Sequence, residues 1–380
     1  MKKIPFVSML LITTLYLSAG VCARAEPAVS AESAIVISGD TGEVVFEKNA
    51  DARMLVASTT KIMTALVALE NCSPVELVKI SPVNVHIEGS SMYLKPGESY
   101  TVEELLYGML LVSGNDAAHA LAMHIGGSVE GFAGLMNVKT EALGLQNTSF
   151  RNPHGLDEEG HYSSARDLAI IMREAMRNEL FRRITNTQSI TIKGVVYYNH
   201  NRLLGACEGV NGGKTGYTMA AGRSLVSSCE RGGTSFIAVT LNDPEDWRDH
   251  SAMYDWAYEA YEYKTLVPLG EYRKLEIISG SQRDVGVSPS RVLAVLLPRG
   301  VTAELRAELP GFAFAGIRAG ERAGLVIASL DDRELGRVPL CYMQDVPVGD
   351  GIRLSLREHI GRGLALAGRY GLYNYGFYPF

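Results

Sequence analysis

The sequence predicts an α/β chain of the α+β kind. One unit over residues 26–265 combines a helical block with a mixed or mostly antiparallel sheet, and a smaller β-rich domain follows over 266–352. Three observations predict this. Strand-like runs stand at both ends of the first segment, with helical periodicity between them, so both ends can meet in one sheet beside a helical layer. After Pro268 the texture changes to short β-rich runs separated by Gly, Pro and Ser clusters. The chain has 380 residues, 47% of them hydrophobic and 21% charged, with a mean hydropathy of +0.05. That composition fits a folded protein with core for more than one domain, and excludes disordered and collagen-like classes.

The elements follow in order. Met1-Lys2-Lys3, an apolar stretch from Ile4 to Ala19 and the small-x-small triplet Ala23-Arg24-Ala25 read as a secretory signal peptide cleaved after Ala25. The apolar run contains Pro5, Ser8, Thr13 and Thr14 and is short for a membrane span. Cys22 follows Val21, where a lipoprotein signal would carry a small residue. Residues 34–47 read as a hairpin around Gly39-Asp40-Thr41-Gly42. A helix follows Ser58, with Ile62, Ala65, Leu66 and Leu69 at helical spacing. Thr101 and Glu104 form a capping box before the apolar run 105–112, two helices cover 116–125 and 129–143, and Ser164 with Asp167 starts another over 168–176. Strands are expected at 189–193, 224–229 and 235–241, with a Gly232-Gly233 turn between the last two. An aromatic helix carrying Tyr254, Trp256, Tyr258 and Tyr261 is expected to close the unit near Lys264. In the second domain, β runs are expected at 274–278, 292–297 and 325–329.

The last stretch, 353–380, reads differently. Leu356, Ile360, Leu364 and Ala367 share one helical stripe, Arg357, Arg362 and Arg369 lie largely elsewhere, and an aromatic tail follows. That pattern predicts a basic amphipathic segment lying on a membrane surface.

Four cysteines remain after the signal: Cys72, Cys207, Cys229 and Cys341. They are widely spaced without a CxxC pattern, so scattered thiols are expected rather than a metal cluster, although an exported chain could pair some of them. His119 and His124 are five residues apart and do not share a helical face. No cysteine or acidic partner stands at zinc spacing from any histidine, so no metal site and no cofactor are expected.

Three short motifs carry the chemistry. Ser58-Thr59-Thr60-Lys61 is the only Ser-x-x-Lys in the chain. Positions three apart share a helical face, so hydroxyl and amine can meet, and a serine becomes a nucleophile once a base takes its proton. A lysine can be that base only if burial or neighbouring positive charge lowers its pKa. Ser113-Gly114-Asn115, the only Ser-x-Asn, sits between two helices and can present a second hydroxyl and an amide to a cleft. Lys214-Thr215-Gly216, the only Lys-Thr-Gly, offers a cation, a hydroxyl and bare backbone to an extended peptide ending in a carboxylate. Each fragment alone is as easily an N-cap or a turn, and Ser-x-x-Lys arises by chance about once in a chain of ordinary composition. Three in this order point to one active site, since nearly this set marks penicillin-binding proteins and class A β-lactamases.

The chain resembles the low-molecular-mass penicillin-binding proteins that are D-alanyl-D-alanine carboxypeptidases, DD-peptidases of the penicillin-recognising serine fold. The resemblance rests on Ala57–Ala65 around the nucleophile, Ser113–Ala118, Asn152-Pro153-His154-Gly155-Leu156-Asp157, His161–Leu168 and Gly213–Thr218, and covers about residues 30–265. It implies a β-lactamase/DD-peptidase-like transpeptidase fold. Ser58 would attack the penultimate D-Ala carbonyl of a peptidoglycan stem pentapeptide, with Lys61 as base and Ser113 relaying a proton to the departing D-Ala. Asn115 would position the peptide, and Lys214 and Thr215 would bind the terminal carboxylate. Gly216 would admit the substrate backbone, and the N–H groups of Ser58 and Tyr217 would form the oxyanion hole. A basic residue after the last catalytic strands would assist, with Arg248 the nearest candidate. β-Lactam antibiotics would acylate Ser58, and the enzyme would work at the outer face of the cytoplasmic membrane.

The alternatives are a serine β-lactamase and a silent wall-binding scaffold. No clear Glu-x-x-x-Asn segment lies between 150 and 180 to support the first, and intact motifs argue against the second. The net charge of −6 leaves no basic footprint for nucleic acid. The C-terminal stretch 353–380 nevertheless carries four arginines against Glu358.

Overall fold

In the computed structural model, residues 25–278 and 280–348 are described. The N-terminal segment before Ala25, expected to belong to a signal peptide, and the basic 353–380 stretch lie outside the described residues.

The sheet of the first unit has five strands in the order Val44–Lys48, Ser33–Ser38, Thr234–Leu241, Gly222–Arg231, Val210–Thr218, and every neighbouring pair is antiparallel. Strands from the two ends of the segment therefore meet, with Val36 opposite both Phe46 and Ala238. The period of two decides what each face covers. Ile35, Ile37, Val226, Ile237 and Val239 join the helical core, whereas Ala34, Val36, Leu225, Phe236 and Ala238 pack with Met253, Tyr254, Trp256 and Ala257. Burial on both faces explains why Ala34-Ile35-Val36-Ile37 is a continuous apolar run rather than an alternating one.

Seven helices belong to this unit: α1 (Lys61–Asn71), α2 (Val102–Leu111), α3 (Asn115–Gly126), α4 (Val129–Ala142), α5 (Ala165–Ala175), α6 (Glu179–Asn186) and α7 (Asp246–Ala260). The capping box at α2 forms in both directions: Glu104 N donates to Thr101 Oγ1 at 3.1 Å, and Thr101 N donates to Glu104 Oε2 at 2.8 Å. Ser164 caps α5 by accepting from Asp167 N, and Leu168, Ile171, Met172 and Ala175 make its buried stripe.

Three expectations are corrected. Ser58 lies in a 3₁₀ turn, Ala57–Thr60, that runs into α1, so Lys61 is the first residue of the α-helix. The strand expected at 189–193 forms only a small hairpin, Ser189–Ile192 with Val195–Tyr198, outside the central sheet. The aromatic helix stops at Ala260, because Tyr261, Tyr263 and Thr265 alternate along a strand, Tyr261–Val267, paired with Leu293–Pro298. Helix α6 carried no clear signal; Phe181 and Ile184 are its only buried apolar residues, beside Thr185, and Asn178 caps it.

Beyond it, six strands form a C-terminal β domain in the order Glu304–Glu308, Arg322–Leu330, Arg333–Tyr342, Asp284–Pro289, Arg273–Ile278, Phe312–Phe314. The last pair is parallel and the others are antiparallel. This domain has its own core of Leu275, Val285, Val287, Val326, Val338 and Leu340.

Candidate active site

The site is built where the turn Ala57–Thr60, the α2–α3 connection and the strand Val210–Thr218 converge. Two residues take left-handed backbone to make it: Ala57 at φ 46° before Ser58 and Ser113 at φ 63° between the helices. Neither is glycine, and such conformations persist only where surrounding contacts over-determine them. One contact is Gly155, at φ +85°, where a Cβ would stand 1.9 Å from the Ala57 carbonyl oxygen. Only glycine lets the 152–157 segment lie this close to the turn. The same segment is tied down by Thr64 Oγ1, which donates to Pro153 O at 2.6 Å, and by Thr218 Oγ1, which donates to Asp157 at 3.0 Å.

Lys61 is fully buried, and its Nζ lies 2.8 Å from Ser58 Oγ, 2.6 Å from Asn115 Oδ1 and 2.8 Å from His154 O. Burial first, then the positive charge of Lys214, push its pKa well below 10.5, with Asp116 opposing. Burial therefore favours the neutral amine, which has two N–H bonds and one lone pair. The Asn115 and His154 oxygens can only accept, so they take the two N–H groups. In that neutral form the lone pair faces Ser58 Oγ, 2.8 Å away, whose hydroxyl can then donate to it.

The Ser113 motif is held from below. Asn115 Nδ2 donates to Glu88 O at 2.5 Å, which fixes the amide so that Oδ1 faces Lys61. Asp116 accepts from Ser91 Oγ, Met92 N and Leu94 N, pinning the 90–94 loop against the start of α3.

On the third wall, Lys214 is buried and donates to Thr215 O at 2.8 Å; burial pushes its pKa down to about 7. The Lys214 charge acts on Lys61, whereas burial alone acts on Lys214. Gly216 stands against the Ala57–Thr60 turn, its Cβ position 3.1 Å from Ser58 N and 3.0 Å from Val56 O. Any side chain there would push the strand away from Ser58.

These walls enclose a cleft of about 640 Å³ lined by Ser58, Ser90, Ser113, Thr215, Gly216 and Tyr217, with Asn199, His200, Arg202, Arg223, Asp246 and Trp247 at its far side. A wider groove of about 930 Å³ in the C-terminal domain, between Arg273–Ile277 and Leu309–Gly311, has no hydroxyl, thiol or imidazole in its lining and so no Ser-Lys pair like that of the first cleft.

Comparison with known proteins agrees with this geometry. Residues 21–245 match the family model of the D-alanyl-D-alanine carboxypeptidases, peptidase family S11. The chain is 35% identical over 340 residues to D-alanyl-D-alanine carboxypeptidase DacF of Bacillus subtilis, covering 84% of this chain and 87% of that one. It is 33% identical over 347 residues to DacA of Escherichia coli K12, with 85% of each chain covered. The crystal structure of penicillin binding protein 5 from Haemophilus influenzae superposes with a TM-score of 0.70 at 28% identity, covering 85% of this chain and 99% of that chain. The chain belongs to the D-alanyl-D-alanine carboxypeptidase family.

Within this carboxypeptidase, Ser58, Lys61, Ser113, Asn115, Lys214, Thr215, Gly216 and Tyr217 all converge on the cleft or lie directly beneath its wall. Arg248 does not. It is turned to Asp249, 3.1 Å away, and to Glu245, and it is absent from the cleft lining. Consecutive helical residues point about 100° apart, so Asp246 and Trp247 of α7 face the cleft while Arg248 turns off it. The arginines that do line the cleft are Arg202 and Arg223. Arg223 lies opposite Tyr217 in the strand ladder, is held by Asp246 at 2.6 Å and stands over Trp247. Sequence reasoning missed both. For Arg223 the available signal was its place five residues after Thr218, across the turn from the third motif.

The histidines divide into two kinds. His161 accepts from Arg151 N at Nδ1, so its Nε2–H donates to Thr60 Oγ1; burial lowers its pKa to about 4 and keeps it a neutral brace. His154 is also held neutral by burial, and it contributes its carbonyl oxygen to Lys61. His124 stands apart from these, because folding places it beside Cys72 and Glu76, 52 and 48 residues away in the chain. All four described cysteines that follow the signal are free thiols.

Proposed function

We propose that this D-alanyl-D-alanine carboxypeptidase works through an acyl-enzyme on Ser58. The observation that carries the reading is the saturation of the Lys61 N–H groups by Asn115 and His154, which leaves a lone pair for the Ser58 proton. Ser58 Oγ attacks the penultimate D-Ala carbonyl of a stem pentapeptide and passes its proton to Lys61. The backbone N–H groups of Ser58 and Tyr217 take the developing oxyanion. The C–N bond breaks as the departing D-Ala nitrogen takes the Ser113 proton, which the proton held on Lys61 replaces, so Lys61 is neutral again. Water then attacks the ester and gives its proton to Lys61, which returns it to Ser58 Oγ as the ester C–O bond breaks. The Lys214 ammonium and the Thr215 hydroxyl hold the substrate carboxylate, Asn115 positions the peptide, and Gly216 gives its backbone close access. β-Lactams acylate Ser58 by the same attack. Arg248 is left out of this assignment because Asp249 already engages its guanidinium.

Two buried lysines in opposite charge states make the reading testable by pH. D-Ala release from a diacyl-Lys-D-Ala-D-Ala peptide is expected to rise from acid as Lys61 sheds its proton, since only the neutral amine is a base. It is expected to fall once Lys214 discharges, as pH passes about 7. The profile is bell-shaped. A rate that climbs without a maximum up to the ordinary lysine value of 10.5 contradicts the assignment.

The signal-like N-terminus supports an exported enzyme acting in the cell-wall space, and the basic amphipathic 353–380 stretch supports attachment to the membrane surface. Removing 353–380 is expected to shift the protein from the membrane to the soluble fraction without loss of D-Ala release. Unchanged partitioning contradicts the anchor.

A further inference from the structure

A second cluster of chemically capable side chains lies away from the cleft. Cys72 is the C-cap of α1, Glu76 sits in the connector that follows, and His124 is in the last turn of α3. One thiol sulfur, one carboxylate oxygen and one imidazole nitrogen from these three residues all lie within 4.8 Å of one another. His124 Nε2 is 2.7 Å from Glu76 Oε1, and the Cys72 thiol also hydrogen-bonds the Glu76 carboxylate. One carboxylate thus collects two N–H or S–H hydrogens, an arrangement in which a single cation can replace them.

We propose that Cys72, Glu76 and His124 bind a divalent ion of the zinc class and clamp the far ends of α1 and α3. The donor set decides the class of ion. Thiolate and imidazole suit zinc or cobalt, whereas magnesium and calcium require oxygen donors. Tetrahedral zinc needs donor atoms about 3.4–3.6 Å apart, so closing the cluster takes side-chain movement of about 1 Å. The backbone that carries the donors is already fixed. Cys72 N donates to Ala68 O at 3.0 Å and Glu76 N to Ser73 O at 3.0 Å. Val102 N donates to Glu76 O at 2.9 Å and Glu103 N to Pro74 O at 3.0 Å, which tie the connector to the start of α2. The cluster faces solvent, so water completes the coordination as a fourth ligand.

The proton balance is simple. The ion bonds to the Cys72 thiolate and the thiol proton leaves to solvent. His124, neutral when it binds, moves its single ring proton from Nε2 to Nδ1 and binds the ion through Nε2, and Glu76 binds as a carboxylate. One proton is released per ion. The clamp joins the same two helices whose opposite ends carry Lys61 and Asn115, about 16 Å away along α1. It therefore holds the helix pair without entering the cleft.

The test uses the full chain with cobalt and zinc. The wild type is expected to bind one Co²⁺ with a thiolate-to-metal charge-transfer band that Zn²⁺ abolishes. Zn²⁺ is expected to slow alkylation of Cys72, read by peptide mass, at least tenfold and to raise the melting temperature. Cys72→Ser and His124→Gln are expected to lose the band and the zinc-induced rise in melting. Both should still be acylated by a fluorescent penicillin, which verifies their fold. A band that persists in Cys72→Ser, or Cys72 alkylation that zinc does not slow, overturns the site.

Discussion

Lys61→Met lowers the acylation rate of Ser58 by a factor of about 10²–10⁴, the range expected for losing a positioned general base, and leaves the melting temperature nearly unchanged. The two halves of this result have separate causes. Methionine fills the fully buried volume of the lysine stem, so no large cavity opens. It removes the donors to Asn115 Oδ1 and His154 O, and each stranded acceptor costs about 1–3 kcal/mol. Against that loss, the variant no longer desolvates an amine, a penalty large enough to push the Lys61 pKa well below 10.5. The terms oppose one another in stability but not in catalysis, where nothing replaces the lone pair facing Ser58. Stopped-flow acylation by a fluorescent penicillin, read beside thermal melting, separates them. Acylation within tenfold of wild type shows that Lys61 is not the base.

The same residues mark what could be read in the sequence. The three motifs were legible because each is a short local pattern, and their order along the chain tied them together. The capping box Thr101–Glu104 and the Ser164 cap were legible for the same reason: their bonds span three residues. What could not be read is what folding joins over long separations. The His154 carbonyl reaches Lys61 across 93 residues and carries no side-chain signature, since any residue has a carbonyl. Gly155 is visible as a glycine, but its need for φ +85° against Ala57 appears only in three dimensions. Arg248 looked suitable by its place after the last sheet strand, yet helical phase turns it to Asp249 and leaves Arg202 and Arg223 in the cleft. Cys72 and Glu76 stand 52 and 48 residues before His124, beyond any local spacing rule for metal ligands. The strand beginning at Tyr261 was hidden because its aromatic residues also continue the helical pattern of α7.

The largest expected effect belongs to Ser58 itself. Among the described residues its hydroxyl is the only one bonded to the Lys61 amine, it lines the cleft, and Gly216 brings the third-motif strand against its backbone N–H. Ser113 also lines the cleft, but no bond joins it to Lys61. Ser58→Ala removes one buried-edge hydroxyl, so the fold and the cation at Lys214 persist while the covalent step is lost. A β-lactamase would lose covalent chemistry equally, so the substrate must be part of the readout.

The decisive measurement is therefore made on wild type and Ser58→Ala together: D-Ala release from diacyl-Lys-D-Ala-D-Ala, with intact-mass and peptide mapping after exposure to penicillin. The expected result is D-Ala release and a single penicilloyl adduct on the Ser58 peptide in wild type, with slow adduct turnover, and neither release nor adduct in Ser58→Ala. An adduct on another residue, or D-Ala release that survives in Ser58→Ala, contradicts the account.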